Sequence, residues 1–97
     1  MATIQIQHAV KDYPVWKHAF DSDPLRRGRN GVIRHVVFRA AEDPNFVVVH
    51  LEFANRADAE AHMPSLRAMF PGVENAIGFG PEGVQTRILE EVEDVTY

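Results

Sequence analysis

Residues 31–53, GVIRHVVFRAAEDPNFVVVHLEF, decide the fold. They contain two runs rich in β-branched and aromatic residues, 32–41 and 46–53, and this composition is typical of strands. The tripeptide DPN at 43–45 separates the two runs. Proline fixes its own φ, and the neighbouring Asp and Asn can bond nearby backbone, so the tripeptide favours a turn. The stretch therefore predicts an antiparallel β-hairpin.

The sequence before the hairpin predicts a strand and a helix. Residues 3–10 alternate apolar and polar side chains, as a half-buried strand does. Asp12 is a good N-cap, and Pro14 suits the first turn of a helix that ends near Pro24. The expected inner face of this helix consists of Tyr13, Trp16, Ala19 and Phe20.

The sequence after the hairpin predicts a second helix and a last strand. Asn55 can cap a helix that Pro64 should kink or divide. Residues 71–81 hold three glycines and two prolines and are interpreted as a loop that can include one short helical turn, and residues 83–92 as the fourth strand. The expected inner face of the second helix consists of Ala59, Met63, Leu66, Met69 and Phe70.

The order βαββαβ predicts an α+β, ferredoxin-like unit with a four-stranded antiparallel sheet and both helices on one face. With 97 residues, 45% of them hydrophobic, the chain is expected to form one domain over 1–97. The other sheet face would lack a cover. A second copy can supply it, so a homodimer is expected.

Composition excludes several classes of function. The net charge of −4 argues against nucleic-acid binding, because such proteins need a clustered basic face. Arg26, Arg27 and Arg29 form one basic cluster, interpreted as a solvated helix end or as a local anion contact. The chain has no cysteine, which excludes disulfides and thiolate sites. No signal peptide or membrane-spanning run is evident, so a cytoplasmic protein without membrane contact is expected.

The alternation of side chains along the two hairpin strands predicts which of them face a ligand. The alternate apolar residues 47, 49, 51 and 53 should lie under the helices. If Arg39 pairs near Phe46, His35 lies close to His50 on the opposite face, while Arg34 lies on the helix side. A few polar groups among apolar ones are typical of a ligand site. The face predicted for such a site carries Gln5, Gln7, Ile33, His35, Val37, Arg39, Phe46, Val48, His50 and Glu52.

Three stretches resemble the dimeric α/β-barrel superfamily that includes the antibiotic-biosynthesis monooxygenases and small proteins described as cyclases. They are DYPVWKHAFD at 12–21, the hairpin at 31–53 and ADAEAHMPSLRAM at 57–69. The resemblance implies a homodimer in which each free sheet face lines a barrel interior. It also implies cofactor-independent oxygenation of a phenolic or quinoid molecule held by polar and aromatic residues.

The resulting hypothesis is a cofactor-independent monooxygenase or cyclase for an aromatic or polyketide-like molecule. His50 would accept a proton, since imidazole titrates near neutrality, while His35, Gln5 and Gln7 orient the substrate. The further substrate contacts would be Arg39, Glu52, Phe46 and Val48. The alternative is a noncatalytic small-molecule-binding or assembly module with the same fold, in which the histidines are only packed, hydrogen-bonded side chains.

No metal or cofactor is expected. His50 and Glu52 lie two residues apart on one strand, about 6 to 7 Å by strand rise, and no dense ligand cluster accompanies them. Related haem-degrading enzymes carry a sheet tryptophan, which this chain lacks, and a helical histidine, to which His62 would correspond. Trp16 is interpreted as a core residue. Among the weaker candidates His8, His18 and His62, His8 could reach the mouth of a cavity.

Overall fold

The computed structural model describes residues 1–97 as four strands and two helices in the predicted order. All neighbouring strands are antiparallel, in the order β2-β3-β1-β4. This topology confirms the predicted ferredoxin-like α+β fold. The elements are β1 (Ala2–Ala9), α1 (Tyr13–Asp21), a 3₁₀ turn (Arg27–Asn30), β2 (Val32–Arg39), β3 (Phe46–Phe53), α2 (Arg56–Ile77) and β4 (Gln85–Glu90).

Both helices begin at the predicted caps. The Asp12 side chain accepts a hydrogen bond from the Val15 amide at 3.3 Å, and Asn55 accepts one from the Asp58 amide at 2.9 Å. Each bond satisfies one of the amides that a helix start leaves without an internal partner. The Asn45 side chain also accepts from the Tyr13 amide at 3.2 Å, so the hairpin turn is bonded to the start of α1.

Helix α2 is longer than predicted. It continues through Pro64 and Pro71 to Ile77, so the helix is not divided and the loop predicted from residue 71 is wrong over 71–77. Each proline removes one backbone hydrogen bond. Val73 and Ile77 nevertheless extend the inward apolar face, and their packing on the core holds the last turns in place. The helix ends at Gly78, whose φ of 71° lies in the left-handed region.

The core lies between the sheet and the helices. The alternate residues of β1 and β3 that face it are almost completely buried, and Trp16 of α1 and Leu66 of α2 cover them. Their burial removes apolar surface from water and so favours folding. These sheet residues are Ala2, Ile4, Ile6, Val47, Val49, Leu51 and Phe53. No helix of the chain is both long and apolar enough to cross a bilayer.

The predicted face assignment of β2 is right for Val32 and wrong from Arg34 to Arg39. Arg39 pairs with Val47 rather than Phe46, and a bulge interrupts the register between Val32 and Arg34. A shift of one residue turns every side chain of a strand to the other face. His35 therefore pairs with Leu51 on the helix side.

The surface opposite the helices is called the free face below. It includes Phe38, which remains 45% exposed in the single chain. The strand pairings assign to it Thr3, Gln5, Gln7, Arg34, Val36, Phe38, Phe46, Val48, His50, Glu52, Arg87 and Leu89.

Candidate functional site

A cavity of about 110 Å³ lies between the sheet and the two helices, on the side opposite the free face. Residues of β1, β3, α1, α2, the α1–β2 loop and the α2–β4 loop line it, and thirteen of the seventeen are hydrophobic. An apolar cavity of about 150 Å³ can hold benzene, so this helix-side cavity, which is smaller and partly open, is close to the size of one aromatic ring that extends toward the opening. Mostly apolar walls with a few convergent polar groups are typical of a ligand site.

Aromatic rings form one wall of the helix-side cavity. Trp16 stacks on Phe20 with ring centroids 5.1 Å apart, and His8 meets Phe79 edge to face at 4.7 Å. Phe70 meets Phe79 in the same manner at 6.0 Å. Offset and edge-to-face contacts are the arrangements that aromatic rings prefer, so this wall is suited to another planar ring.

His8 is the polar group that β1 contributes to the cavity. Its side chain is buried, and Nδ1 donates a hydrogen bond to the Ala9 carbonyl oxygen at 2.8 Å. Burial lowers the pKa of His8, and the bond to Ala9 opposes this only in part. His8 is therefore neutral at pH 7 with its proton on Nδ1, which leaves Nε2 as a hydrogen-bond and proton acceptor.

His62 is the polar group that α2 contributes. It is 3% exposed, and its Nε2 is buried without a hydrogen-bond partner in the protein. Burial, and then the positive charge of Arg27, lower the pKa of His62. An unpaired buried nitrogen costs about 1–3 kcal/mol, so its presence in a cavity wall calls for an explanation.

Arg27 reaches the cavity from the loop between α1 and β2. Its Nη1 donates to the Phe20 carbonyl oxygen at 3.0 Å, and the guanidinium lies 3.9 Å above the Phe20 ring. Its Nε lies 3.5 Å from the Asp23 carboxylate. Arg26 and Arg29 are exposed. The predicted basic cluster is thus divided, with one guanidinium in the cavity wall and two at the surface.

The free face carries most of the sequence-predicted site residues. Nε2 of His50 donates to Oε1 of Gln5 at 3.0 Å, and Gln5 lies 3.5 Å from Gln7 through its amide nitrogen. Gln7 in turn donates to Gln85 at 2.8 Å, which completes a polar chain across β3, β1 and β4. Phe46, Val48 and Glu52 share this face, and Arg34 forms an ion pair with Glu52.

His35 and Arg39 do not join that set. The His35 ring meets Phe20 edge to face at 5.2 Å on the helix side. Arg39 lies 4.0 Å above the Tyr13 ring and donates to the Pro44 carbonyl oxygen at 3.2 Å. The predicted joint site of His35 and His50 is therefore not assembled, and neither residue lines the helix-side cavity.

The three polar residues that line the cavity, His8, Arg27 and His62, are not among the site residues that the sequence pattern predicts. His8 follows Ile4 and Ile6 at a spacing of two, and His62 adjoins the inner positions Ala59 and Leu66 at helical spacing. A polar residue at an inward position of an amphipathic element was the available signal. No three His, Asp or Glu side chains come together as metal ligands would.

Solved structures share this fold. SnoaB, a cofactor-independent oxygenase from Streptomyces nogalater, aligns at a TM-score of 0.75 and 12% identity, covering 99% of this chain and 97% of SnoaB. A dimeric ferredoxin-like protein from an uncultured marine organism aligns at 0.70 and 17% identity, covering 97% and 98%. A structure described as an antibiotic biosynthesis monooxygenase aligns at 0.62 and 15% identity, covering 96% and 100%.

The resemblance to the monooxygenase-like ferredoxin fold is thus confirmed. No protein-family model and no curated protein matches the sequence. At identities below 25%, the structural likeness establishes the fold of the chain and leaves its activity to be tested.

Proposed function

We propose that this chain is a cofactor-independent monooxygenase or cyclase that takes a planar aromatic or polyketide-like ring into the helix-side cavity. One observation carries the proposal: a partly open apolar cavity is lined by two histidines that burial keeps neutral, and Nε2 of His62 has no hydrogen-bond partner in the protein. SnoaB is described as a cofactor-independent oxygenase, and the fold that it shares with this chain supports the same class of reaction here.

In this proposal His8 accepts a proton from the bound ring. Its Nδ1 is held by the Ala9 carbonyl, so Nε2 is the free acceptor within an apolar wall. Removing a proton from a ring hydroxyl or an acidic ring carbon is the common first step of both reaction types. A base that stays unprotonated at pH 7 suits that step, and a positioned base contributes about 10²–10⁴ in rate.

His62 orients the ring in this proposal. Its free Nε2 would gain a hydrogen bond from, or donate one to, an oxygen of the bound molecule, depending on the tautomer. Binding would then remove the cost of the unpaired nitrogen. The cavity volume of about 110 Å³ is close to that of one ring, so a bound ring or a larger molecule would extend through its opening.

The free face is proposed to pair with a second copy of the chain. Its exposed Phe38 and the half-buried Val48 and Leu89 lie among the polar side chains of Gln5 and His50. Two sheets can pack face to face about 10 Å apart and cover such a surface. The ferredoxin-like neighbour is described as dimeric, which supports this assembly.

On the free face, His50 is still a candidate for the proton acceptor, as the sequence predicts. Its bond to Gln5 occupies Nε2 and leaves Nδ1 available. In a homodimer this residue would face the partner sheet. His50 and His8 are thus competing candidates that substitution can separate.

The test is turnover of a panel of single-ring phenols, hydroquinones and anthrone under air, followed by oxygen uptake and mass spectrometry of products. We expect His8→Gln to lower the rate by about 100-fold or more, and His18→Gln, an exposed control on α1, to leave it unchanged. Loss of activity in His50→Ala with full activity in His8→Gln would move the site to the free face. If the wild-type protein neither binds nor converts any panel member, the proposal fails.

A noncatalytic small-molecule-binding module is the second candidate, because the same apolar cavity would serve it. Binding of panel members without product formation would favour this alternative. Occupancy can be followed directly, since Trp16 is the single tryptophan and lines the cavity.

A further inference from the structure

The polar groups of the helix-side cavity are one permanent cation and two neutral imidazoles. No aspartate or glutamate lines it, and its polar side chains are those of His8, Arg27 and His62. Arg27 is the single permanent charge among them. The cavity therefore has a cationic lining, although the chain as a whole carries a net charge of −4.

Arg27 is held in place by an unusual loop. Asp23 and Arg26 both have left-handed backbone, with φ of 53° and 51°, a conformation that non-glycine residues adopt rarely and at some cost. This loop leaves the Arg27 side chain only 15% exposed. Strained backbone of this kind persists where the surrounding structure requires it and is often found beside functional groups.

The guanidinium of Arg27 retains capacity for another partner. It has five N–H donors, one of which bonds the Phe20 carbonyl oxygen. Its ion pair with Asp23 is long, at 3.5 Å, and the Asp23 side chain is 39% exposed, so solvent weakens that pairing. A planar fork of free donors beside an apolar space matches an anionic oxygen group.

We propose that the helix-side cavity selects molecules whose ring bears an ionised oxygen, a carboxylate or a phenolate, and that Arg27 is the residue that binds this oxygen. His62 completes the contact by donating from Nε2. The inference rests on the proposed function for the occupancy of the cavity and adds the class of ligand and the residue that determines it.

The expected preference for an anion follows from the apolar surroundings of the Arg27 guanidinium. A hydrogen bond to an ionised group is about twice as strong as a neutral one and is strengthened further where water is excluded. A neutral ring of the same shape would gain the apolar contacts with Trp16 and Phe20 but not this bond. Discrimination should therefore come from Arg27, and affinity for the ring itself from the aromatic wall.

The test compares benzoate with benzamide, a neutral molecule of nearly the same shape, by quenching of Trp16 fluorescence. A second pair, ionised 4-nitrophenolate and neutral 4-nitroanisole, distinguishes a phenolate from a carboxylate as the preferred anion. We expect at least one anion to bind about tenfold more tightly than its neutral partner, which is the factor for about 1.4 kcal/mol. The bound anion should also raise the pKa of His62, which ring-proton NMR measures, because an adjacent negative charge favours imidazolium.

The variants assign the preference to one residue. Arg27→Gln should reduce the preference to less than about threefold while neutral ligands bind as before. Arg29→Gln, two residues away and exposed, should leave the preference intact. Should Arg27→Gln not fold, Arg27→Lys keeps the charge without the fork and should lower anion affinity at least threefold with neutral affinity unchanged.

Equal binding of charged and neutral partners, or a preference that survives both Arg27 variants, would overturn the inference and leave the proposed function standing. Absence of any ring binding would refute both. A preference that disappears in Arg29→Gln as well would place the anion on the surface cluster and also overturn the inference.

Discussion

Replacing His62 with leucine is expected to stabilise the protein while weakening its hold on a ligand. The His62 side chain is 3% exposed, and its buried Nε2 has no hydrogen-bond partner in the protein. Removing an unsatisfied buried polar group recovers about 1–3 kcal/mol. Leucine keeps apolar contact with the neighbouring Phe53 ring, which lies 5.8 Å from the imidazole, so little packing is lost.

We therefore expect His62→Leu to raise the free energy of unfolding by about 1–2 kcal/mol at pH 7.5. For a domain of this length, each kcal/mol corresponds to a rise in Tm of about 4–8 °C. Urea denaturation, followed by Trp16 fluorescence and circular dichroism at one protein concentration, measures the change. His18→Leu, an exposed control, should alter stability by no more than about 0.5 kcal/mol.

A loss of about 1 kcal/mol or more in His62→Leu would refute this reasoning, because it would mean that the imidazole forms a stabilising bond in solution. A gain in stability without loss of ring binding would refute only the claim that His62 contributes to ligand binding. Both changes together are expected of a residue retained for binding at a cost in stability.

Three further predictions concern pH, cavity volume and assembly. Burial lowers the pKa of His8 and His62 below 6.5, so below that pH the unfolded chain binds protons that the folded chain does not. The free energy of unfolding should therefore keep its full value above pH 6.5 and fall as the pH is lowered below it. Urea midpoints at pH 7.5 and 5.5 test this, with a smaller difference expected in His62→Leu. Val73→Phe, in the cavity wall, should reduce ring binding at least tenfold with stability within about 1 kcal/mol, whereas Val15→Phe on the outer surface should change neither. Phe38→Glu on the free face should convert a dimer into a monomer in light scattering; Val15→Glu, at similar exposure, should not, and an unchanged dimer would locate the interface elsewhere.

The fold was predictable because several local signals agree. Asp12 and Asn55 cap the helices as expected, and β1 and β3 are regular strands whose alternation assigns their faces correctly. The same alternation along β1 and β3 predicted that Gln5 and His50 lie on one face of the sheet, and they form a hydrogen bond. Strict alternation is reliable where a strand has no bulge, since the side-chain period is then two residues.

The errors arose where tertiary structure overrides local rules. The bulge at Ile33 and the pairing of Arg39 with Val47 shift β2, and nothing in the local sequence of β2 specifies either. Two prolines predicted an early end to α2, but burial of Ile77 extends it. The helix-side cavity depends on the α1–β2 loop turning Arg27 inward, and no periodic pattern describes a loop.

The location of the cavity changes the relation between assembly and binding. If the site lay on the free face, as the sequence suggested, a ligand would be enclosed only when a second subunit was present. The helix-side cavity is instead lined by residues of one chain, with the sheet between it and the free face. Binding and pairing should then be separable, so the Phe38→Glu monomer should hold a ring ligand within about twofold of the wild-type affinity. Fluorescence titration of Trp16 in that monomer tests this. Loss of ring binding there, with the fold intact by circular dichroism, would mean that the partner subunit contributes to the binding site.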